Sequence, residues 1–163
     1  MKRGTPAADP DSPKSAYFRA LRLLTARDLS ESQVRDRLER RGYTRAAIDS
    51  AVARLLEERT LDDRRTALAV ARTAARVKRH GPRRVQGKLL AIGIDRELAK
   101  EVLRDLFGEV DEEELLERAL DRRLHGRHEL LAKPEERRRL LAYLVRQGFS
   151  ASAAASLLRR KSK

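Results

Sequence analysis

Cysteine and tryptophan are absent from this chain of 163 residues, and aromatic side chains make up only 4% of it. Without a thiol there is no disulfide framework and no thiolate-based metal or redox site. Long apolar runs are missing as well. One of the longest, Ala67 to Ala71, falls far short of the ~20 residues that cross a bilayer. Met1 to Lys14 holds Pro6, Pro10 and Pro13 and no apolar stretch, so the hydrophobic region of a secretory signal is lacking there, and residues 1–14 read as a flexible tail. Acidic charge is in short supply too: 38 Lys and Arg stand against 25 Asp and Glu, a net +13. What remains is abundant Leu, Ala and Val among charges, with 40% hydrophobic and 39% charged residues. That is too apolar for a chain disordered throughout and too polar for one large globule. The reading is a helical, cytoplasmic protein whose excess positive charge favours a polyanionic partner.

Beyond the tail the sequence repeats itself. Three segments align on Gly42-Tyr43, Gly93-Ile94 and Gly148-Phe149. Four residues before each glycine stands Leu38, Leu89 or Leu144, and eight before stands Val34, Val85 or Leu140. Two after come Thr44, Asp95 and Ser150, all suited to start a helix. Six after come Ile48, Ala99 and Ala154, and ten after come Val52, Leu103 and Leu158. Apolar residues four apart on both sides of a glycine describe two amphipathic helices joined by a tight turn, with Gly42, Gly93 and Gly148 at the positive-φ position. Each copy has an upstream helix, starting near Ser15, Asp62 and Asp111. Ser30 with Gln33 and Asp111 with Glu114 have capping-box spacing, and Gly81-Pro82 and Lys133-Pro134 place proline at a first turn. No segment alternates as a half-buried strand does. The fold expected is all-α: three tandem three-helix modules over residues 15–60, 61–109 and 110–160. Units this small are near the lower limit for folding alone, so neighbours should share apolar contacts, and short links favour an elongated, curved array.

Charge is unevenly placed. From Arg64 to Ile94 there is no Asp or Glu, while nine Lys and Arg stand there. Arg72, Arg76, Lys78, Arg79, Arg83, Arg84 and Lys88 form the candidate partner-binding group, with Arg137 and Arg138 as a second, because uncompensated cations repel one another until an anion approaches. Glu109, Asp111, Glu112, Glu113, Glu114 and Glu117 mark the start of the third module and suit a helix N-terminus. Arg159, Arg160, Lys161 and Lys163 read as a basic end. A base-reading helix-turn-helix is disfavoured, since the helices after the glycine turns mix Arg45 with Asp49, and Arg96, Lys100 and Arg104 with Glu97, Glu101 and Asp105. Few aromatics argue against a base-stacking platform. His125, His128 and Glu129 have no matched further ligand, Asp62-Asp63 read as a helix start, and no nucleophilic or phosphate-cradling motif is present. No catalytic residue, metal or cofactor is expected.

These residues resemble the RecX family, regulators of the bacterial recombinase RecA. The resemblance runs from about Ser15 to Arg160. It is most specific in Leu61-Asp62-Asp63-Arg64-Arg65, Gly81-Pro82-Arg83-Arg84-Val85 with Leu89, and Gly93-Ile94-Asp95. Leu21-Arg22-Leu23-Leu24 with Leu38 and Gly42-Tyr43, and Leu144 with Gly148-Phe149, are also similar. Thr66 departs from the pattern, where the family usually has an aromatic residue. The resemblance implies a non-enzymatic monomer that binds the RecA–single-stranded DNA filament along its groove and inhibits RecA's ATPase, strand-exchange and co-protease activities. It implies that the basic residues contact RecA or DNA, single- or double-stranded, and that Asp62, Asp63 and Arg65 order the middle module. The reading without RecA is a sequence-independent DNA binder acting through the same basic face; a third is a helical scaffold for another acidic partner.

For an elongated array, small-angle scattering gives a radius of gyration above the ~15 Å of a compact chain this long. A curve matching a sphere contradicts that expectation.

Overall fold

The computed structural model describes residues 9–109 and 111–162. Among them nine α-helices follow one another with no strand: α1 (Pro13–Ala26), α2 (Glu31–Glu39), α3 (Arg45–Glu57), α4 (Asp63–Arg72), α5 (Pro82–Ala91), α6 (Arg96–Glu109), α7 (Glu112–Leu124), α8 (Pro134–Arg146) and α9 (Ala151–Lys161). A π-helical turn, Thr73–Val77, prolongs α4, and a 3-10 turn, His128–Ala132, precedes α8. The class is all-α, as the heptad-like spacing predicts. Residues 1–8 of the expected tail lie outside the described residues. Its last part is seated: the Pro10 carbonyl accepts the Thr44 N–H at 3.0 Å, and Ser12 accepts the Ser15 N–H at 3.1 Å. So α1 starts at Pro13, two residues before the expected Ser15, with proline in its first turn where its missing N–H costs nothing.

The three aligned glycines take φ of +87° (Gly42), +81° (Gly93) and +97° (Gly148), a region closed to most L-residues. After α2 the Gly42 N–H reaches the Glu39 carbonyl at 2.8 Å and the Tyr43 N–H reaches Leu38 at 3.3 Å. After α8, Gly148 reaches Val145 at 2.9 Å and Phe149 reaches Leu144 at 3.3 Å. This double bond satisfies the last carbonyls of each helix and turns Tyr43 and Phe149 back onto it. Val34, Leu38, Val85, Leu89, Leu140 and Leu144 are all buried, with Ile48, Ala99 and Ala154 beyond the turns. The expectation fails at one core position: α6 buries Val102 and Leu106 rather than Leu103. Capping also divides. Ser150 accepts the Ala153 N–H and Ser30 and Gln33 form a full capping box, but Thr44 makes no side-chain cap.

Contacts gather into two compact units, one of residues up to Ala67 with Ala91–Asp95, the other of Leu68–Leu90 with the residues from Arg96 on. In the first, α1, α2 and α3 pack pairwise around Tyr17, Leu38, Val52 and Leu55. In the second, α7, α8 and α9 pack together, burying Leu116, Leu120, Leu124, Leu144 and Phe149. The middle module is therefore divided between the units.

The division follows from two backbone junctions of the same kind. Ser30 stands twelve residues before Gly42, and Gly81 twelve before Gly93. In the first unit, Ser30 donates its hydroxyl to the carbonyl of Ile92, the residue before Gly93. In the second, the Gly81 N–H donates at 2.8 Å to the carbonyl of Gln147, the residue before Gly148, and the Arg83 N–H donates to Gly148 at 3.2 Å. Each junction thus places the start of one module's second helix on the glycine turn of the next, through a side-chain hydroxyl at Gly93 and through the helix's own orphan N–H groups at Gly148. Approach is close enough to exclude a side chain. A Cβ on Gly148 would lie 2.4 Å from the Arg84 nitrogen, one on Gly81 2.6 Å from the Gly148 carbonyl carbon, and one on Gly93 2.3 Å from the Ser32 Cβ.

Gly42 has the same positive φ but nothing within 4 Å of a Cβ, which separates the two costs. Gly42→Ala should lose only the left-handed strain, about 1–2 kcal/mol, whereas Gly148→Ala should lose at least about 2 kcal/mol more through displaced backbone. Urea unfolding of the two variants measures the difference; equal losses contradict the junction.

Candidate partner-binding surface

Every cation proposed for the partner from residues 72 to 88 lies in the second unit. The end of α4 presents Arg72; the π-helical turn then inserts an extra residue, with the Lys78 N–H bonded to the Thr73 carbonyl at 3.2 Å and the His80 N–H to Ala74 at 3.0 Å. The insertion buries Ala74 and Ala75 side by side and turns Val77 out, leaving it 68% exposed. Arg79 closes the turn at φ +55°. Arg76 and Lys78 flank Val77, exposed, and Arg83 is exposed in the first turn of α5; Arg79 and Lys88 are half-buried. Among the described residues no carboxylate pairs with Arg72, Arg76, Lys78, Arg79, Arg83 or Lys88.

Several cations elsewhere are paired. In the first unit Arg35 meets Glu31 at 2.7 Å and Asp49 at 2.5 Å, Arg40 meets Asp36 at 2.9 Å, and Arg54 meets Glu58 at 2.8 Å. In the second, Arg118 meets Glu114, and Arg139 meets Glu136 at 2.6 Å. The basic end expected at Arg159 to Lys163 folds as the last turn of α9 up to Lys161. There Arg160 pairs with Glu113 and Glu117, and Lys161 lies 3.5 Å from Glu117. The acidic start of the third module thus does two jobs. Asp111 caps α7, accepting the Glu113 N–H at 2.8 Å, while Glu113 and Glu117 neutralise the C-terminal cations. Uncompensated charge is left in the 72–88 window, as it also is at scattered exposed cations such as Arg122, Arg138 and Arg146.

Two of the expected partner residues are held by the fold. Arg84 donates to the Arg146 carbonyl at 3.2 Å and the Gln147 side-chain oxygen at 2.9 Å, bracing the Gly148 junction. Arg137 donates to Leu131 and Ala132 at 2.8 and 3.0 Å, closing the 3-10 turn. Arg138 is exposed. Asp62 accepts the Arg65 N–H at 2.9 Å at the start of α4, and the Arg65 guanidinium donates to the carbonyls of Arg59 and Thr60 at 3.2 and 3.0 Å. Asp63 accepts the Glu31 N–H at 2.7 Å, tying α4 to α2; burial pushes its carboxyl up while that N–H bond opposes the shift. Thr66, where the family pattern has an aromatic, is buried and donates to the Leu29 carbonyl at 3.4 Å.

His80 sits beneath the basic turn, buried, with Nδ1 lacking a partner. Burial first, and then the charges of Arg84, Lys88 and Lys78, push its imidazole down to about 4. It is neutral at pH 7 and adds nothing to the positive surface. No group of three or more His, Asp or Glu among the described residues is arranged to hold a metal; His125, at φ +50°, serves as the C-cap of α7. No helix of the described residues is long and apolar enough to cross a membrane. Sequence reasoning missed Val77, because an α-helical register drawn to Arg79 has no place for the π turn.

Comparison with known proteins supplies the family. The pattern of "RecX, first three-helix domain" matches residues 16–55, and that of "RecX, second three-helix domain" matches residues 62–103. The chain is 32% identical over 142 residues to the regulatory protein RecX of Trichlorobacter lovleyi, covering 85% of this chain and 90% of that one. It is 33% identical over 141 residues to that of Thermotoga maritima, covering 86% and 81%. The crystal structure of RecX from Lactobacillus salivarius superposes with a TM-score of 0.75 at 19% identity, over 91% of this chain and 96% of that one. With its glycine turns, its Asp62-to-Arg65 helix start and this likeness over most of its length, the chain belongs to the RecX family of regulatory proteins.

Proposed function

We propose that this protein regulates RecA by binding the RecA–single-stranded DNA filament along its groove, lowering RecA's ATPase, strand-exchange and co-protease activities. It acts in the cytoplasm as a monomer and without catalysis of its own. The observation that carries the reading is the set of unpaired cations Arg72, Arg76, Lys78 and Arg83 around exposed Val77, within a stretch of sequence that holds no Asp or Glu. An acid-free surface of this kind is self-repelling until an anionic partner covers it, and both the acidic face of a protein filament and its DNA meet that need. Val77 supplies an apolar contact at the centre of the cations, the arrangement in which desolvated anchors contribute most. Small modules held in series add their contacts through effective concentration, so individually weak docking sites bind tightly together.

A direct DNA binder acting through the same face is the second reading, favoured by the same charge. It differs in its salt response: affinity for naked DNA falls by roughly 0.7–0.9 log units per log unit of salt for each phosphate engaged, with no added benefit from RecA.

The test reverses charge without touching the junction. Arg76→Glu with Arg83→Glu should weaken filament binding at least about tenfold, or about 1.4 kcal/mol, and relieve inhibition of RecA's DNA-dependent ATPase in proportion. Arg40→Glu, which alters a locally paired cation, should leave inhibition near wild type. Undiminished inhibition by the double variant contradicts the assignment of these residues; equal binding to naked DNA and to filaments favours the second reading.

A further inference from the structure

The first unit carries a different surface. The few aromatic residues are mostly buried, Tyr17, Tyr43 and Phe149 among them, yet Phe18 on α1 is 50% exposed. It projects between Lys14 and Arg22, one turn before and one turn after it on the same helix face, both exposed. Neither cation has an ion-pair partner among the described residues. Phe18 also borders a cleft of about 300 Å³, lined in part by Lys14, Tyr17, Ser50 and Arg54.

The ring is held rather than loose. Phe18 stands nearly perpendicular to Tyr17, at 75° with centroids 5.4 Å apart. Tyr17 is itself fixed: its hydroxyl donates to Glu58 at 2.6 Å, and the Arg54 guanidinium lies 4.1 Å from its ring centroid. Glu58 accepts from Arg54 at 2.8 Å as well, so its carboxylate is committed to the two groups that brace the ring. What faces outward is an aromatic surface flanked by two unpaired positive charges about 12 Å apart along the helix axis.

We propose that Phe18, with Lys14 and Arg22, is a stacking site for one base of a single-stranded nucleic acid, the two cations taking phosphates on either side of the stacked base. A single strand is the anionic polymer that presents an uncovered aromatic face beside each negative charge, and an exposed aromatic between cations recognises that pair of features. A duplex keeps its bases covered, and an acidic peptide would use the cations while leaving the ring unoccupied. The proposal departs at one position from the expectation that few aromatics argue against a base-stacking platform. This inference does not rest on the basic surface of the second unit, and the two can fail separately.

The chain has no tryptophan, so Phe18→Trp introduces a single indole at the site. Its fluorescence should be quenched by an oligothymidylate and unchanged by an abasic strand of equal length. Phe18→Ala should weaken oligothymidylate binding by roughly 5- to 100-fold, the usual range for losing one stacked base, while leaving abasic-strand affinity and helicity as in the unaltered chain. Equal oligothymidylate affinity for the wild type and Phe18→Ala, or equal quenching by the abasic strand, overturns the proposal. The ATPase test with Arg76→Glu and Arg83→Glu reads the other surface independently.

Discussion

Where the start of one helix seats directly on the glycine turn of another, no side chain fits between them, and two places in this protein depend on that. At Gly148 the turn after α8 accepts the Gly81 and Arg83 N–H groups of the α5 start, with no room for a methyl group on either glycine. At Gly93 the same kind of turn receives the α2 start through Ser30 and lies against Ser32. The geometry satisfies groups that helix ends otherwise leave to water. It also explains why the compact units do not coincide with the three modules of the sequence: each junction draws part of the middle module to a different neighbour.

The placement of charge follows from this framework. Arg84 is spent on the Gly148 junction and Arg137 on the 3-10 turn, while the acidic start of α7 neutralises Arg160 and Lys161. The π-helical turn between α4 and α5 then lifts Arg76, Val77 and Lys78 away from the core. Among what faces solvent in the second unit is a cationic surface with an apolar centre, and His80 beneath it stays neutral at physiological pH. Net charge, which is a property of composition, becomes a local feature once the fold has used the cations it needs.

The glycine turns, the helix starts at Ser30, Asp111 and Ser150, and most of the core were legible in the amino-acid pattern. Those features are set by local rules: φ sign, N–H capping and the four-residue apolar spacing. The failures share a cause as well. Leu103 and Val102 are adjacent and both apolar, so only tertiary packing decides which is buried. Thr44 yields its capping role because the Pro10 carbonyl lies close by. The π turn needs knowledge of where Ala75 packs, and the duties of Arg84 and Arg137 depend on carbonyls remote in sequence or at an unforeseen turn. Phe18 was counted among scarce aromatics, but its exposure is set by the packing of α1 on α3. Of the candidate surface, the acid-free window was visible; which of its cations the fold consumes was not.

The central claim is that the cations left unpaired between residues 72 and 83 meet the filament. Hydrogen–deuterium exchange on this protein, alone and bound to RecA assembled on single-stranded DNA, tests it without any substitution. The account predicts that binding slows exchange most strongly over the π-helical turn and the loop into α5, residues 73–83. Unchanged exchange there, with protection confined to the ion-paired surface of α2, would contradict it.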